Sequence, residues 1–295
     1  MTKHTTTMAA LGALVCAAGI FYWAHELRPS TQVSKASQSA AISATPAYPE
    51  KVTLSSPIPP SKPLDSTDRP ALAEAATPLH AGEVLEFAAD VAKLSNVANL
   101  RLQIVERRNF FGKSAWHLQA FARTENPLRM MFELDDQFDS YSDAATLSSL
   151  QYEMHLNERG EKEESIQRMV TNGAESASAP NATQTHVVPG TRDPLGLMQY
   201  LRTVDWNKVR EIHGPVYDGH KLYEVRAASG GSENVAVPAG NFVASKIDLR
   251  VFDAGVEMKD AHFTLYLASN PTRTPVLLEA VMPFATAHVA LVKMK

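Results

Sequence analysis

The stretch Leu85-Glu86-Phe87-Ala88-Ala89-Asp90-Val91 sets Leu85, Phe87, Ala89 and Val91 on one parity and places two carboxylates on the other. Apolar residues at every second position mark a strand with one face in a core and one in water. The same alternation spreads outward from this run. Leu100, Leu102 and Ile104 repeat it, and after a turn at Gly112-Lys113 so do Trp116, Leu118, Ala120 and Ala122. Further runs are 128–134, 152–156, 165–170, 222–227, 242–252, 262–268, 276–282 and 287–292. Glu158-Arg159-Gly160-Glu161, Asp218-Gly219 and Asp253-Ala254-Gly255 join neighbouring runs by short loops. Loops this short connect antiparallel strands, because a parallel crossover needs a dozen or more residues.

Asp218-Gly219 reads as a two-residue type I′ turn that pairs Tyr217 with His220. That register sets Pro215 against Leu222, His213 against Glu224, Glu211 against Arg226 and, on the opposite face, Ile212 against Val225. One helix is well signalled: Asp193 can cap it, Pro194 fits the first helical position, and Leu195, Met198 and Leu201 share a face, ending near Thr203. The Ser/Ala/Asn-rich stretch from Thr171 to His186 reads as a mobile loop before it. One short helix beside ten or so antiparallel strands defines a mainly β fold. The expected form is a strongly curved sheet, a barrel or half-barrel, with the helix over an open side or end.

This domain is expected over residues 81–295, where 22 Lys and Arg face 27 Asp and Glu for a net −5. Ahead of it lie two unlike segments. Residues 5–24 contain no charged side chain and close on Phe21-Tyr22-Trp23, an aromatic trio suited to a membrane–water interface. Twenty residues at roughly 1.5 Å each span roughly 30 Å, the thickness of the hydrocarbon core. Tyr22-Trp23-Ala24 puts a large ring where signal peptidase needs a small residue, so 1–24 reads as an uncleaved signal anchor; the alternative is a cleaved leader. Residues 25–80 carry nine of the chain's 18 prolines and no glycine, the composition of a stiff, extended linker without a core. The whole chain of 295 residues has a formal charge of −4, which excludes a strongly basic nucleic-acid binder. A single cysteine excludes an intrachain disulfide and a cysteine-based metal cluster.

An ordered set of segments then suggests a relative. Gly82-Glu83-Val84-Leu85-Glu86-Phe87 opens the domain. Thr191-Arg192-Asp193-Pro194-Leu195-Gly196-Leu197 and Tyr200-Leu201-Arg202 follow, then Asp218-Gly219 with Leu222-Tyr223. Pro238-Ala239-Gly240-Asn241-Phe242 with Lys246, and Asn270-Pro271-Thr272-Arg273-Thr274-Pro275-Val276 with Glu279, complete the set. In this order and spacing the chain resembles a bacterial family of exported proteins known as domain of unknown function 3108, over essentially all of 81–295. It departs from the pattern at Gly196, where the family usually has Ser, and at Asn270, where it usually has an acidic residue. The resemblance implies an envelope location and an antiparallel β-fold. It supplies no catalytic residue, cofactor or ligand.

The residues themselves point to no catalytic set. Ten histidines form no His-x-His, His-x-x-x-His or His-Glu-x-x-His spacing, and His117, His155 and His262 sit singly in strand runs. Gly112-Lys113-Ser114 lacks the glycine five positions upstream that a phosphate loop requires, so it reads as a hairpin turn. Gly230-Gly231-Ser232 reads as a flexible turn, and Asp135, Asp136, Asp139 and Asp143 as a solvated strand end. Arg107 and Arg108 stand beside Phe110 and Phe111, a pairing that suits acidic headgroups or polysaccharide, or simply a charged hairpin shoulder. Tyr200, Arg202 and Arg273 are the candidate ligand-binding residues; the alternative for them is helix-to-sheet hydrogen bonding.

The sequence therefore supports a protein of the bacterial inner membrane, single-pass through residues 5–24, with its C-terminal domain in the periplasm. Its expected role is a binding module without enzymatic chemistry, holding a lipid, lipoprotein or glycan on the curved sheet, with no cofactor, metal or nucleic acid. The alternatives are a scaffold that docks on another envelope protein and an enzyme of unrecognised type. An apolar carrier requires an internal cavity of roughly 300 Å³ or more; an interior filled by side chains favours docking.

Overall fold

A computed structural model describes residues 77–171, 182–281 and 286–295. The expected anchor, and the expected linker as far as residue 76, lie outside the described residues. Among those described, no helix is long and apolar enough to cross a membrane.

Thirteen strands are described: β1 (Val84–Val91), β2 (Leu94–Phe110), β3 (Lys113–Thr124), β4 (Asp135–Asp143), β5 (Ser149–Glu158), β6 (Glu161–Val170), β7 (Thr183–His186), β8 (Glu211–Tyr217), β9 (Leu222–Val237), β10 (Gly240–Asp253), β11 (Val256–Ala268), β12 (Pro275–Val281) and β13 (Thr286–Met294). Two helices accompany them, α1 (Leu128–Met131) and α2 (Pro194–Thr203). The strands form one sheet in the order β7-β6-β5-β4-β3-β2-β1-β13-β12-β11-β10-β9-β8. Among the described strands only the β6–β7 pair is parallel. β1 joins β13, so the first and last strands sit at the centre, and Val84 and Lys295 exchange backbone bonds of 3.1 and 2.9 Å.

The alternation read from the sequence sets the inner face. Leu85, Phe87, Ala89, Val91, Leu100, Leu102, Ile104, Leu118 and Ala120 are all buried in one continuous core. Hairpins fall where expected at Arg159-Gly160 and Ala254-Gly255 and one residue earlier than expected at Phe111-Gly112, each with both turn residues at positive φ as a type I′ turn requires.

The ladder does not close. Its two ends are instead brought together at a seam by the short segment after β7. Ser149 N donates to Thr191 O (3.0 Å), Arg192 N to Pro215 O (3.1 Å), and Tyr217 N to Arg192 O (2.8 Å). Gln167 of β6 reinforces the seam by donating to Gly219 O at 3.0 Å. The architecture is thus an open barrel whose edges meet through a staple of a few hydrogen bonds.

Several expectations change. The run 128–134 is not a strand: a helical turn, α1, fills it, followed by a single bridge between Leu134 and Glu158. The acidic stretch from Asp135 is not a strand end but the interior strand β4. The last residues of the expected 171–186 loop form β7, while 172–181 lie outside the described residues. Gly230-Gly231-Ser232 is no turn; it lies within β9 at a bulge, with Gly231 at φ +95°. The β8–β9 loop is two residues longer than a type I′ turn, so Tyr217 faces Leu222, Pro215 faces Glu224, His213 faces Arg226 and Ile212 faces Ala227. The cause is Asp218, whose Oδ1 accepts from both His220 N (2.8 Å) and Lys221 N (2.7 Å), closing a wider loop. A shift of two residues preserves side-chain parity, so the faces remain as expected.

Candidate functional site

α2 does not lie over an opening. Eight of its ten residues are buried, Leu201 and Arg202 completely. Met198 borders a small apolar space together with Phe87, Leu100, Leu102, Leu265, Leu277 and Val289. A helix apolar around most of its circumference belongs inside a core. The apolar space left beside it is about 10 Å³, too small for a single water. This described apolar space beside the helix is far smaller than the cavity expected for a carrier.

Polar locks hold both helix ends. At the N-terminus, Asp193 Oδ1 accepts from Gly196 N at 2.8 Å, as an N-cap should. Asp193 Oδ2 accepts from Ser140 Oγ (2.6 Å) and from Ser149 Oγ, on β4 and β5. Burial pushes the Asp193 carboxyl up, and these three donors oppose the push. The polar inward side of β4 now has its reason: Ser140 serves the helix cap, and Ser142 bonds Ser140 at 2.9 Å.

At the C-terminus, Arg202 grips the N-terminal arm. Its guanidinium donates to Glu83 Oε1 (2.6 Å) and Oε2 (2.8 Å), to Gln199 Oε1 (2.8 Å), to Thr272 O (2.8 Å) and to Pro78 O (3.2 Å). A bidentate pair of this kind is strong and directional. Leu79 is buried beside it, so the packed domain begins a few residues before the expected boundary at 81. Arg273 donates to Arg202 O (3.0 Å) and Val204 O (2.9 Å), capping the helix carbonyls. Tyr200 lies 3.6 Å beneath the Arg192 guanidinium of the seam staple.

Of the three sequence-predicted residues, Arg202 and Arg273 meet at the C-terminal end of the helix, whereas Tyr200 packs against Arg192, the residue before the N-cap. Tyr200 and Arg202 hold the helix in place, and Arg273 also borders open space. That space is a polar vestibule of about 430 Å³ at the barrel mouth, where the long β9–β10 hairpin outruns β8. Ser232 and Ser245, a cross-strand pair, face it together with Asp205, Asn207 and Asn270, above a floor of Trp206 and Leu267. Sequence reasoning missed Asp205, Asn207 and the serine pair. Only the hairpin register would have revealed the pair, and the bulge at Gly230-Gly231 hid it.

Elsewhere, the carboxylates of Asp135, Asp139 and Asp143 are paired within the protein. On the outer face, Asp139 accepts from Gln119 (2.6 Å) and Gln137 (2.7 Å) and lies 2.6 Å from His117 Nε2. Burial alone would raise the Asp139 carboxyl, but these hydrogen bonds outweigh it and hold it below its usual range. Asp135 pairs with Arg129, and Asp143 accepts from Ala145 N and Thr146 N in its own turn. Among the described residues no three His, Cys, Asp or Glu side chains converge to hold a metal ion.

An open antiparallel barrel plugged by a doubly locked helix, with a polar mouth, is the class of protein these features define. The sequence model of the family described as protein of unknown function (DUF3108) matches residues 87–292, and the chain belongs to that family. No curated protein matches the chain. Among solved structures it is similar to a β-barrel-like protein of domain of unknown function DUF1849 from Brucella abortus, at 10% identity and TM-score 0.47, covering 72% of this chain and 96% of that one. A protein from Parabacteroides distasonis provisionally assigned as a lipoprotein is similar at 14% identity and TM-score 0.35, covering 75% and 98%. One from Bacteroides fragilis provisionally assigned as exported, with a YmcC-like fold, is similar at 12% identity and TM-score 0.29, covering 73% and 96%.

Proposed function

We propose that this protein is a membrane-tethered interaction module of the bacterial cell envelope, without enzymatic chemistry, that docks on another envelope protein. The burial of α2 within the core supports this reading. A carrier of lipid needs apolar volume, and the apolar space described beside α2 is about 10 Å³. The polar mouth of about 430 Å³ suits a polar segment of a partner better than an acyl chain. Arg273, Asp205 and Asn207 are the residues placed to meet that segment. The uncharged run 5–24 and the Pro-rich stretch after it support a tether that leaves the domain free to reach its partner.

Two measurements on the full chain test the reading. Native mass spectrometry of protein purified from its own membrane should give the sequence mass without a stoichiometric lipid. A one-to-one lipid adduct would restore the carrier reading. A photo-crosslinker at Ser232 or Ser245 should give one discrete protein adduct in cells, abolished by Arg273→Glu, while one at exposed Glu163 should not. Equal labelling from both positions would contradict docking at the mouth.

A further inference from the structure

β9 outruns its neighbour on one side. It pairs with β8 only from Leu222 to Ala228, whereas its ladder with β10 continues to Val237. The bond from Ser229 N to Arg210 O, at 2.8 Å, is the last on the β8 side among the described residues. From Gly230 to Val237 that edge of the strand meets no other backbone among the described residues. Every second residue of a strand turns its N–H and C=O to one side, so the edge holds a row of donors and acceptors that one more strand would satisfy.

The outermost strands do not present such an edge. β8 gives its outer edge to Arg192 through the bonds at Pro215 and Tyr217, and β7 is only four residues long. A free edge is ordinarily guarded by Lys, by Pro or by a charge pointing inward. Ser232-Glu233-Asn234-Val235-Ala236-Val237 contains no Lys and no Pro. Its one charged side chain, Glu233, is hydrogen-bonded to the Tyr266 hydroxyl, which also donates to Glu279 at 3.1 Å. Ser232, Asn234 and Ala236 are small and exposed, while Val235 between them is buried and fixes the strand to the core. The bulge beside Gly231 lies before this run and Pro238 after it, so the usual guards bracket the edge without interrupting it.

Charge at the end of the edge selects the occupant. Arg210, just before β8, is exposed and has no ion pair among the described residues. The one carboxylate that lines the mouth, Asp205, is already paired with Lys208 at 3.1 Å. We infer that the envelope partner docks by strand addition: an extended segment of it pairs with Gly230–Val237 and sets an acidic side chain against Arg210. Backbone bonds along the edge supply the grip, and the cation fixes the register. Strand addition rests on docking at the mouth, which Ser232 borders, and names the element by which the partner binds there.

The test carries photo-crosslinking of the full chain in cells along the edge, one position at a time: Ser232, Asn234 and Ala236 on it, and Asn207 in the mouth but off it. The three edge positions should give an adduct of one and the same mass. Arg210→Glu should lower its yield at least about threefold at each of them, and Arg210→Lys should keep it. Ala236→Pro, which supplies the missing guard, should abolish the Ser232 adduct although neither Ser232 nor Arg210 changes. Circular dichroism checks that each variant folds. Adducts at Ser232 and Asn207 but not at Asn234 or Ala236 would overturn strand addition and leave docking at the mouth standing. An adduct at twice the chain's own mass would assign the edge to a second copy and overturn the partner segment. An undiminished yield from Arg210→Glu would overturn its acidic character, and no adduct at any position would overturn docking at the mouth as well.

Discussion

Gly196 offers a substitution whose sign the structure reverses. Replacing a helical glycine by alanine ordinarily gains up to about 1 kcal/mol, because alanine loses less backbone freedom on folding. At this position an added Cβ would stand 2.9 Å from Ser142 Oγ, 3.1 Å from Leu147 O and 3.3 Å from Ser149 Oγ. None of these can retreat cheaply. Ser142 is bonded to Ser140, Ser149 is bonded to Asp193, and Leu147 O is backbone. Overpacking a tight site costs typically about 1–3 kcal/mol, so Gly196→Ala should be less stable by about 1–2 kcal/mol once the propensity gain is subtracted. Urea unfolding of the full chain reads this as a lower midpoint at unchanged slope. Ser142→Ala in the same chain removes the nearest clash, so the double variant should recover part of the loss and show coupling. A Gly196→Ala protein more stable than the parent would refute the close approach of α2 to β4 and β5.

Other consequences follow from the same packing. Arg202→Met strands Glu83 and two backbone carbonyls and should cost about 3–5 kcal/mol, more than Glu83→Gln does, in the same urea assay. Leu201→Ala opens a void at the centre of the plug and should cost about 2–5 kcal/mol, read as a fall in melting temperature. Burial pushes the Asp136 carboxyl up to about 7. The folded state therefore holds a proton that the unfolded chain releases near pH 4, and the parent should lose stability as pH rises from about 4 to 7 and then level off. That loss is on the order of 4 kcal/mol at most. Asp136→Asn should flatten that slope and be the more stable protein at pH 8; a parent whose stability rises across this window would contradict the burial of Asp136.

Most of the sheet was legible because its inward residues are apolar and its outward ones are not. β1 and β3 show this plainly, and their faces fall as the parity demands. β4 was illegible for a physical reason. Its inward Ser140 and Ser142 serve the helix N-cap and its neighbours, so a central strand wears the composition of a surface one. The extent of α2 was readable from Asp193 and Pro194, but its place inside the barrel was not drawn from three apolar positions on one face. Leu197 beside Leu195 and Met198 already widened that stripe beyond what a covering helix needs. Arg202 was singled out correctly as important, yet its partner Glu83 lies 119 positions away, a separation that local patterning cannot bridge. The mouth stayed hidden because a bulge in β9, not a turn, brings Ser232 opposite Ser245.

Amide hydrogen exchange on the full chain, followed at Leu197, Met198 and Leu201, tests the plugged barrel most directly. These amides should exchange as slowly as those of β1 and β13, through global unfolding alone. Exchange at the rate of the surface turns would mean that the helix leaves the lumen in the native state, and that the interior can open to a ligand after all.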